Sequence, residues 1–353
     1  MATCADEEAG VGAAVTVTSL PASGTSLGYV CPRCRSTLAE SAASYVCCRC
    51  GSTFPVVMGI PDLRIAADPW IGLEEDRDKA RRLVADTRGA SLEAMVRAYW
   101  AMTPGTSATQ AERFIAHVLS ATGRSAEWLD RIGRAPADHG GAWLDVGTGT
   151  GDLATAVATR GLAVTGIDVA MRWLVVAQRR AELAGVDVRL VCCNAEYLPF
   201  PDARFARVVS LGTLEHCTDA EQALAEARRV LPRGGDVRLR TVNRYSILPE
   251  PHVGVWGVGY VPRRLADRYV RWRTGRQYEH HRPLSPREVA SALTRAGFRD
   301  ARVEAAPLLT SERARLGRAA WMGRLYDSAR QVPPVRPMLR WTAPLLEASG
   351  VAA

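Results

Sequence analysis

Four cysteines stand in two pairs, Cys31 with Cys34 in "CPRC" and Cys47 with Cys50 in "CCRC". A CxxC pair wraps a tight turn, so both sulfurs face one metal and backbone N–H groups point at the thiolates. Two such turns on facing hairpins close a tetrahedral four-sulfur site, which suits zinc. Cys31, Cys34, Cys47 and Cys50 are therefore the expected ligands. Cys48 lies inside the second turn and should point away. Gly51 fits the end of that turn, where a left-handed residue is often needed. Four protein ligands leave no open position, so the zinc would be structural. A ribbon this short would draw most of its folding energy from the metal, on the order of 10 kcal/mol. Cys192, Cys193 and Cys217 lie far off in sequence and read as buried thiols.

A second chemical signature is "LDVGTGTGDLATAVATRGLAVTGIDVA", residues 144–170. A strand is expected to end at Asp145, followed by Gly147, Gly149 and Gly151 at alternate positions and then a helix. Missing side chains there let a ligand approach the backbone at a helix N-terminus. The dinucleotide fingerprint G-x-G-x-x-G would place its third glycine at position 152, which is Asp152. The dehydrogenase reading thereby loses its close packing point. A second strand should end at Asp168, whose carboxylate can accept hydrogen bonds from both hydroxyls of a ribose.

These residues resemble the class I S-adenosylmethionine-dependent methyltransferases. Asp145-x-Gly147-x-Gly149-x-Gly151 followed by Asp168 carries the likeness, and "CNAEYLPFPDARFARVVS", "LGTLEHCTD", "LPRGG" and "LSPREVASALTRAGF" extend it across residues 142–304. The resemblance implies S-adenosylmethionine as cofactor. Gly147, Gly149 and Gly151 would pass the methionine portion, Asp168 would hold the ribose, and Val169 would pack beside the adenine. Asn194 and Ala195 would meet the adenine edge, and Asp145 and Leu211 complete the set. Two positions depart from the family pattern, with Asn194 and Ala206 standing where Asp is usual. The ribbon, through "CPRC" and "YVCCRCGSTFPVVMGIPDL", resembles the small zinc-ribbon partner subunits of tRNA and protein methyltransferases. It is therefore expected to support, dock or recognise something for the catalytic domain.

Methyl transfer needs alignment, exclusion of water and, for some acceptors, removal of a proton. His216 follows the fourth strand and should lie near the methyl group. His252 sits in a stretch stiffened by Pro249 and Pro251. Either imidazole could act as the base, with Glu250 a further candidate. His280 and His281 lie in the same insert, 243–285, which reads as a lid or substrate wall. Within it Arg264, Arg268 and Arg271 share one helical face, beside Leu265, Tyr269 and Trp272. A basic face interleaved with aromatics can bind RNA, or be an ordinary solvated face over a packed one.

The elements that must position these groups follow from periodicity. Short apolar runs alternate with helical stretches from residue 142, the β-α-β pattern of a Rossmann-like α/β sheet with helices on both faces. A zinc ribbon and a helical segment should precede it. The expected division is a disordered lead (1–27), the ribbon (28–63), a helical cap or substrate segment (64–140), the cofactor-binding domain with its insert (141–310), and a C-terminal extension (311–353). The 353 residues are 47% hydrophobic, enough for one large core and an accessory module. No run approaches a membrane span, and no secretory signal is present. A cytoplasmic protein with reduced thiols is expected. The net charge of +8 rests almost wholly on arginine, Lys79 being the single lysine. An anionic partner would suit that charge. The favoured reading is methylation of a small or lipid-like acceptor, at oxygen. The alternatives are an RNA methyltransferase gripping its substrate with the ribbon and Arg face, and a cofactor-binding regulatory scaffold.

Overall fold

In a computed structural model the chain is described over residues 28–353, apart from 104, 134–140, 316, 318 and 319. The expected disordered lead, 1–27, lies outside the described residues. Residues 38–61 form a four-stranded antiparallel sheet in the order β1 (Leu38–Glu40), β2 (Ser44–Cys47), β3 (Thr53–Val57), β4 (Ile60–Pro61). Met58 and Gly59 make the two-residue turn between β3 and β4. Both have positive φ, the geometry that matches hairpin twist.

Four helices follow: α1 (Leu73–Asp86), α2 (Leu92–Ala101), α3 (Ala108–Leu119) and α4 (Ala121–Ile132). Ser91 and Ser107 cap α2 and α3 by accepting the Ala94 and Gln110 N–H groups. The main sheet contains β5 (Trp143–Val146), β6 (Val164–Asp168), β7 (Arg189–Cys192), β8 (Arg207–Leu211), β9 (Asp236–Val242), β10 (Phe298–Ala305) and β11 (Leu345–Ala352). Its order is β10-β11-β9-β8-β5-β6-β7. Strands β5 to β9 are parallel, whereas β11 runs antiparallel to both β9 and β10. The helices that complete the crossovers are α5 (Asp152–Thr159), α6 (Met171–Leu183), α7 (Ala220–Arg229), α8 (Arg263–Thr274) and α9 (Pro286–Arg295). The last shows why this sequence folds locally as it does. Ser285 and Glu288 form a reciprocal capping box, Pro286 occupies the first turn, and Gly297 follows the end with φ near +90°.

Two features differ from the sequence expectation. Residues 311–353 are not an appendage to a domain closed at 310, because β11 lies between β9 and β10 inside the sheet. In "LLEASGVA" alternate residues are buried, but small side chains carry the alternation and weaken its signal. Between β10 and β11 run α10 (Thr310–Arg315), α11 (Ala320–Ala329) and α12 (Arg336–Thr342). The second difference concerns the ribbon, which is continuous with the main core. Cys31, Leu38, Tyr45, Cys47, Phe54 and Leu63 share one buried cluster with Leu144, Ile167, Val191 and Phe200. Leu63 donates its N–H to the Cys192 carbonyl at 2.8 Å, and Asp62 makes one parallel bridge to Cys192, so the chain leaving the ribbon touches the β7 edge. Among the described residues no helix is long and apolar enough to cross a membrane.

Candidate active site

The chain runs from β5 outward through β6 to β7, then returns to β8 on the other side of β5. The carboxyl ends of β5 and β8 therefore border a crevice, the place where open α/β sheets bind ligands. A cavity of about 940 Å³ opens there. That lies near the top of the range for small-molecule sites.

The glycine loop forms its floor. All three glycines have positive φ. A Cβ on Gly147 would lie 2.0 Å from the Thr213 hydroxyl, and one on Gly151 would lie 2.6 Å from Ala177. Those two glycines let the loop pack against its own protein. A Cβ on Gly149 would meet nothing within 4 Å, so this glycine leaves the cavity itself clear. The Gly149 N–H donates to Asp168 at 2.9 Å, and the Ala170 N–H donates to its other oxygen at 2.8 Å. Each oxygen keeps a further acceptor site. Burial pushes the Asp168 carboxyl up to about 6, against the pull of those two N–H groups. Asp145, buried beneath the loop, takes a hydrogen bond from Thr148 at 2.6 Å and is pushed by burial up to about 7.

Val169, Asn194, Ala195 and Leu211 also line the cavity. The Asn194 side chain is already engaged: its oxygen accepts from the Ile65 and Ala66 N–H groups, and its amide donates to the Ala66 carbonyl. It ties the chain leaving the ribbon across one end of the cavity. Beneath this crossing lies a buried ionic network. Arg64 makes a two-pronged contact with Asp62, reaches Asp76 at 2.7 Å and donates to the Val169 carbonyl at 2.8 Å. Arg172 joins Asp76 and Asp68, and Arg77 joins Asp62. Burial alone would raise the Asp62 carboxyl, but Arg64 and Arg77 more than offset it and hold it below the usual range. Asp62 falls within the quoted ribbon motif, but nothing in the sequence marks its pairing with Arg64 and Arg77.

Aromatic and imidazole side chains also line the cavity. Trp100 and Phe114 stack at 4.6 Å on the wall formed by α2 and α3. Phe114 is 39% exposed because it faces this space. His216 and His252 both line the cavity, with ring centroids 4.8 Å apart. The structure thus brings the two histidines together. Glu250 accepts from the His252 ring at 2.6 Å. Burial opposes charge on His252, but Glu250 outweighs it and the net shift is upward. Arg240, which also lines the cavity, binds Glu312 and the Pro307 carbonyl through one nitrogen, while its Nε and Nη1 are buried with no partner among the described residues. Sequence reasoning passed over this arginine, which sits in a strand like any other.

The four ribbon sulfurs converge. Cys31 and Cys50 are 3.6 Å apart, Cys34 and Cys47 3.4 Å, and all four lie within 4.8 Å of one another. Zinc–sulfur bonds of about 2.3 Å in a tetrahedron would set the sulfurs about 3.8 Å apart, so the set fits that ion. Gly51 is left-handed at the second turn, and Arg35, at φ +61°, takes the same conformation at the first. Cys48 is exposed and outside the sulfur cluster.

Arg264, Arg268 and Arg271 are exposed on α8, and Arg271 is held by Asp267 and Glu279. The neighbouring face is not packed as expected: Leu265 and Trp272 are both exposed, and the buried residue of α8 is Val270.

Residues 144–239 match the family model described as a methyltransferase domain. The demethylmenaquinone methyltransferase of Thermus thermophilus is 40% identical over 119 residues, which are 33% of this chain and 51% of that one. The ubiquinone biosynthesis O-methyltransferase of Chromobacterium violaceum is 39% identical over 172 residues, covering 48% of this chain and 69% of that one. The chain belongs to the class I methyltransferases. Phosphoethanolamine N-methyltransferase 2 of Haemonchus contortus aligns in three dimensions with a TM-score of 0.44 and 19% identity, over 77% of this methyltransferase and 59% of that chain. This methyltransferase spans about half the length of the first curated relatives it matches, 51% and 46%.

Proposed function

We propose that the protein transfers a methyl group from S-adenosylmethionine to an oxygen of a small, lipid-like aromatic acceptor. The observation that carries this reading is one continuous cavity. Gly149 and Asp168 line it, and so do His216, His252 and the stacked Trp100 and Phe114. Bound S-adenosylmethionine would supply an electrophilic methyl on a sulfonium. Asp168 would accept from the ribose hydroxyls, Val169 and Ala195 would flank the adenine, and Gly149 would let the methionine portion lie against the backbone. Trp100 and Phe114 would hold a flat apolar acceptor. Arg240 would offer Nε and Nη1, unpartnered among the described residues, to a carbonyl or carboxylate on it. His216 and His252 would help a hydroxyl lose its proton. Relatives named for quinone-pathway methylation are consistent with such an acceptor. In the ribbon, Cys31, Cys34, Cys47 and Cys50 would hold a structural zinc.

The test is label transfer. Purified protein is incubated with methyl-labelled S-adenosylmethionine and an extract of the cells that make it, and RNA, protein, lipid and small-molecule fractions are separated. Label in the lipid or small-molecule fraction, released as a base-stable methyl ether, is the expected result. Label in RNA or protein alone would refute the reading.

A further inference from the structure

Three imidazoles meet at the cavity. The ligand nitrogens of His216, His252 and His281 all lie within 4.8 Å of one another. Ring centroids are 4.3 Å apart for His252 and His281, and 5.1 Å for His216 and His281. His216 and His252 line the large cavity, while His281 and Glu250 line an adjoining one of about 260 Å³. The cluster therefore sits where the two spaces meet.

Two of the three rings are held in place. The Glu250 carboxylate is fixed by the His252 and Val253 backbone N–H groups, at 2.8 and 3.0 Å. Its other oxygen faces the His252 Nδ1 at 2.6 Å. A carboxylate only accepts, so Nδ1 carries the proton and Nε2 presents its lone pair. This is the carboxylate–histidine pairing that orients metal ligands. His281 stacks on Tyr278 with the rings 13° from parallel, and its Nδ1 is buried with no hydrogen-bond partner among the described residues. Such an orphan is costly unless something satisfies it.

We propose that His216, His252 and His281 bind one divalent transition-metal ion, with Glu250 orienting His252, and that this ion binds and activates the acceptor hydroxyl. The second part rests on the O-methylation reading above. Nitrogens bound at about 2.0–2.1 Å would lie about 3.4 Å apart, a closure that small ring rotations supply. Imidazole ligands favour zinc, iron, cobalt, nickel or copper over magnesium or calcium. Three protein ligands leave a position open, and the cavity supplies its occupant. A hydroxyl on the ion loses its proton to solvent more readily. The oxygen lone pair then forms the new C–O bond as the C–S bond breaks and its electron pair stays on sulfur. The products are a methyl ether and S-adenosylhomocysteine, with no change of oxidation state.

The test is equilibrium dialysis of the full chain against Co²⁺, with visible absorption recorded. Wild type should hold one equivalent beyond the cysteine site. That equivalent should show weak ligand-field bands without thiolate charge transfer. His252→Ala and His281→Ala should each lower its affinity more than 100-fold, and Glu250→Gln should lower it about tenfold. Metal bound at the cysteines alone in wild type would overturn the proposal, whether or not the variants fold. If the second equivalent binds and label transfer to small molecules fails, the metal site stands and the O-methylation reading falls. Full-rate methyl transfer by protein whose histidine site has been emptied by a chelator would overturn the role in activation and leave that reading intact.

Discussion

Replacing Arg64 by Met tests whether the ribbon and the cofactor loop are mechanically one unit. The guanidinium is fully buried and touches three partners: Asp62 in the strand leaving the ribbon, Asp76 in α1, and the Val169 carbonyl beside Asp168. Methionine keeps the apolar stem and removes every polar contact. Breaking a buried ion pair by removing one partner costs about 3–5 kcal/mol. Here each carboxylate keeps another guanidinium, Asp62 through Arg77 and Asp76 through Arg172. The lower figure therefore applies, about 3 kcal/mol, which lowers the melting temperature by roughly 4 °C in a chain of this size. The Val169 carbonyl loses its donor at the same time, so the loop carrying Asp168 loosens. The dissociation constant for S-adenosylmethionine, measured by calorimetry well below the transition, should rise several-fold. Arg64→Lys should fall between, since an ammonium cannot make the two-pronged contact. A variant that melts with wild type and binds the cofactor equally well would refute the coupling. A lower melting temperature with unchanged affinity would reduce Arg64 to a docking residue.

Asp168→Asn should weaken cofactor binding at least tenfold without unfolding the protein, read by calorimetry and circular dichroism. In wild type, affinity should fall as pH drops below about 6, by up to about tenfold per pH unit, because only the ionised carboxylate serves both ribose hydroxyls. Stability without cofactor runs the other way: the raised pKa gives a contribution fully present below the ordinary carboxylate value and lost as pH rises through about 6. Gly147→Ala should fail to fold or melt far lower, given the Thr213 clash, whereas Gly149→Ala should cost about 1–2 kcal/mol of stability for its left-handed backbone and abolish cofactor binding. Elemental analysis should find zinc at the ribbon, and Cys34→Ser or a strong chelator should lower the melting temperature and the cofactor affinity together. Unchanged affinity in stripped, folded protein would show that the ribbon does not shape the cavity.

What could be read from the sequence was whatever depends on residue type at fixed short spacing. The two CxxC turns, the glycine loop and Asp168 are local constraints, so the residues announce them. The helical cap was legible because α1, α3 and α4 repeat at 3.6 residues. Features set by distant packing were not legible. Arg64 meets Val169 across 105 positions and Asn194 meets Ala66 across 128, and neither pairing leaves a trace in either neighbourhood. Strand β11 alternates faithfully, but three of its four buried residues, Ala348, Gly350 and Ala352, carry little β preference. The histidines were singled out one by one, yet their convergence depends on how the insert folds back over β8.

The placement of the ribbon gives it a role beyond capping. Without it β7 would be an edge strand with unpaired backbone groups. The ribbon meets that edge through Leu63, and the chain then continues as cavity wall through Asn194, Asp68 and Trp70. Trp70 in turn lies against His280 and His281, with ring centroids 4.7 and 5.4 Å away. One short stretch, residues 62–70, thus runs from the ribbon along the cavity wall to the imidazoles. The Asp62–Arg64–Asp76 network fixes its start, and the histidines meet its end. A zinc ion at the four sulfurs would stiffen the ribbon from which that stretch departs, and so would act on the cavity from a distance.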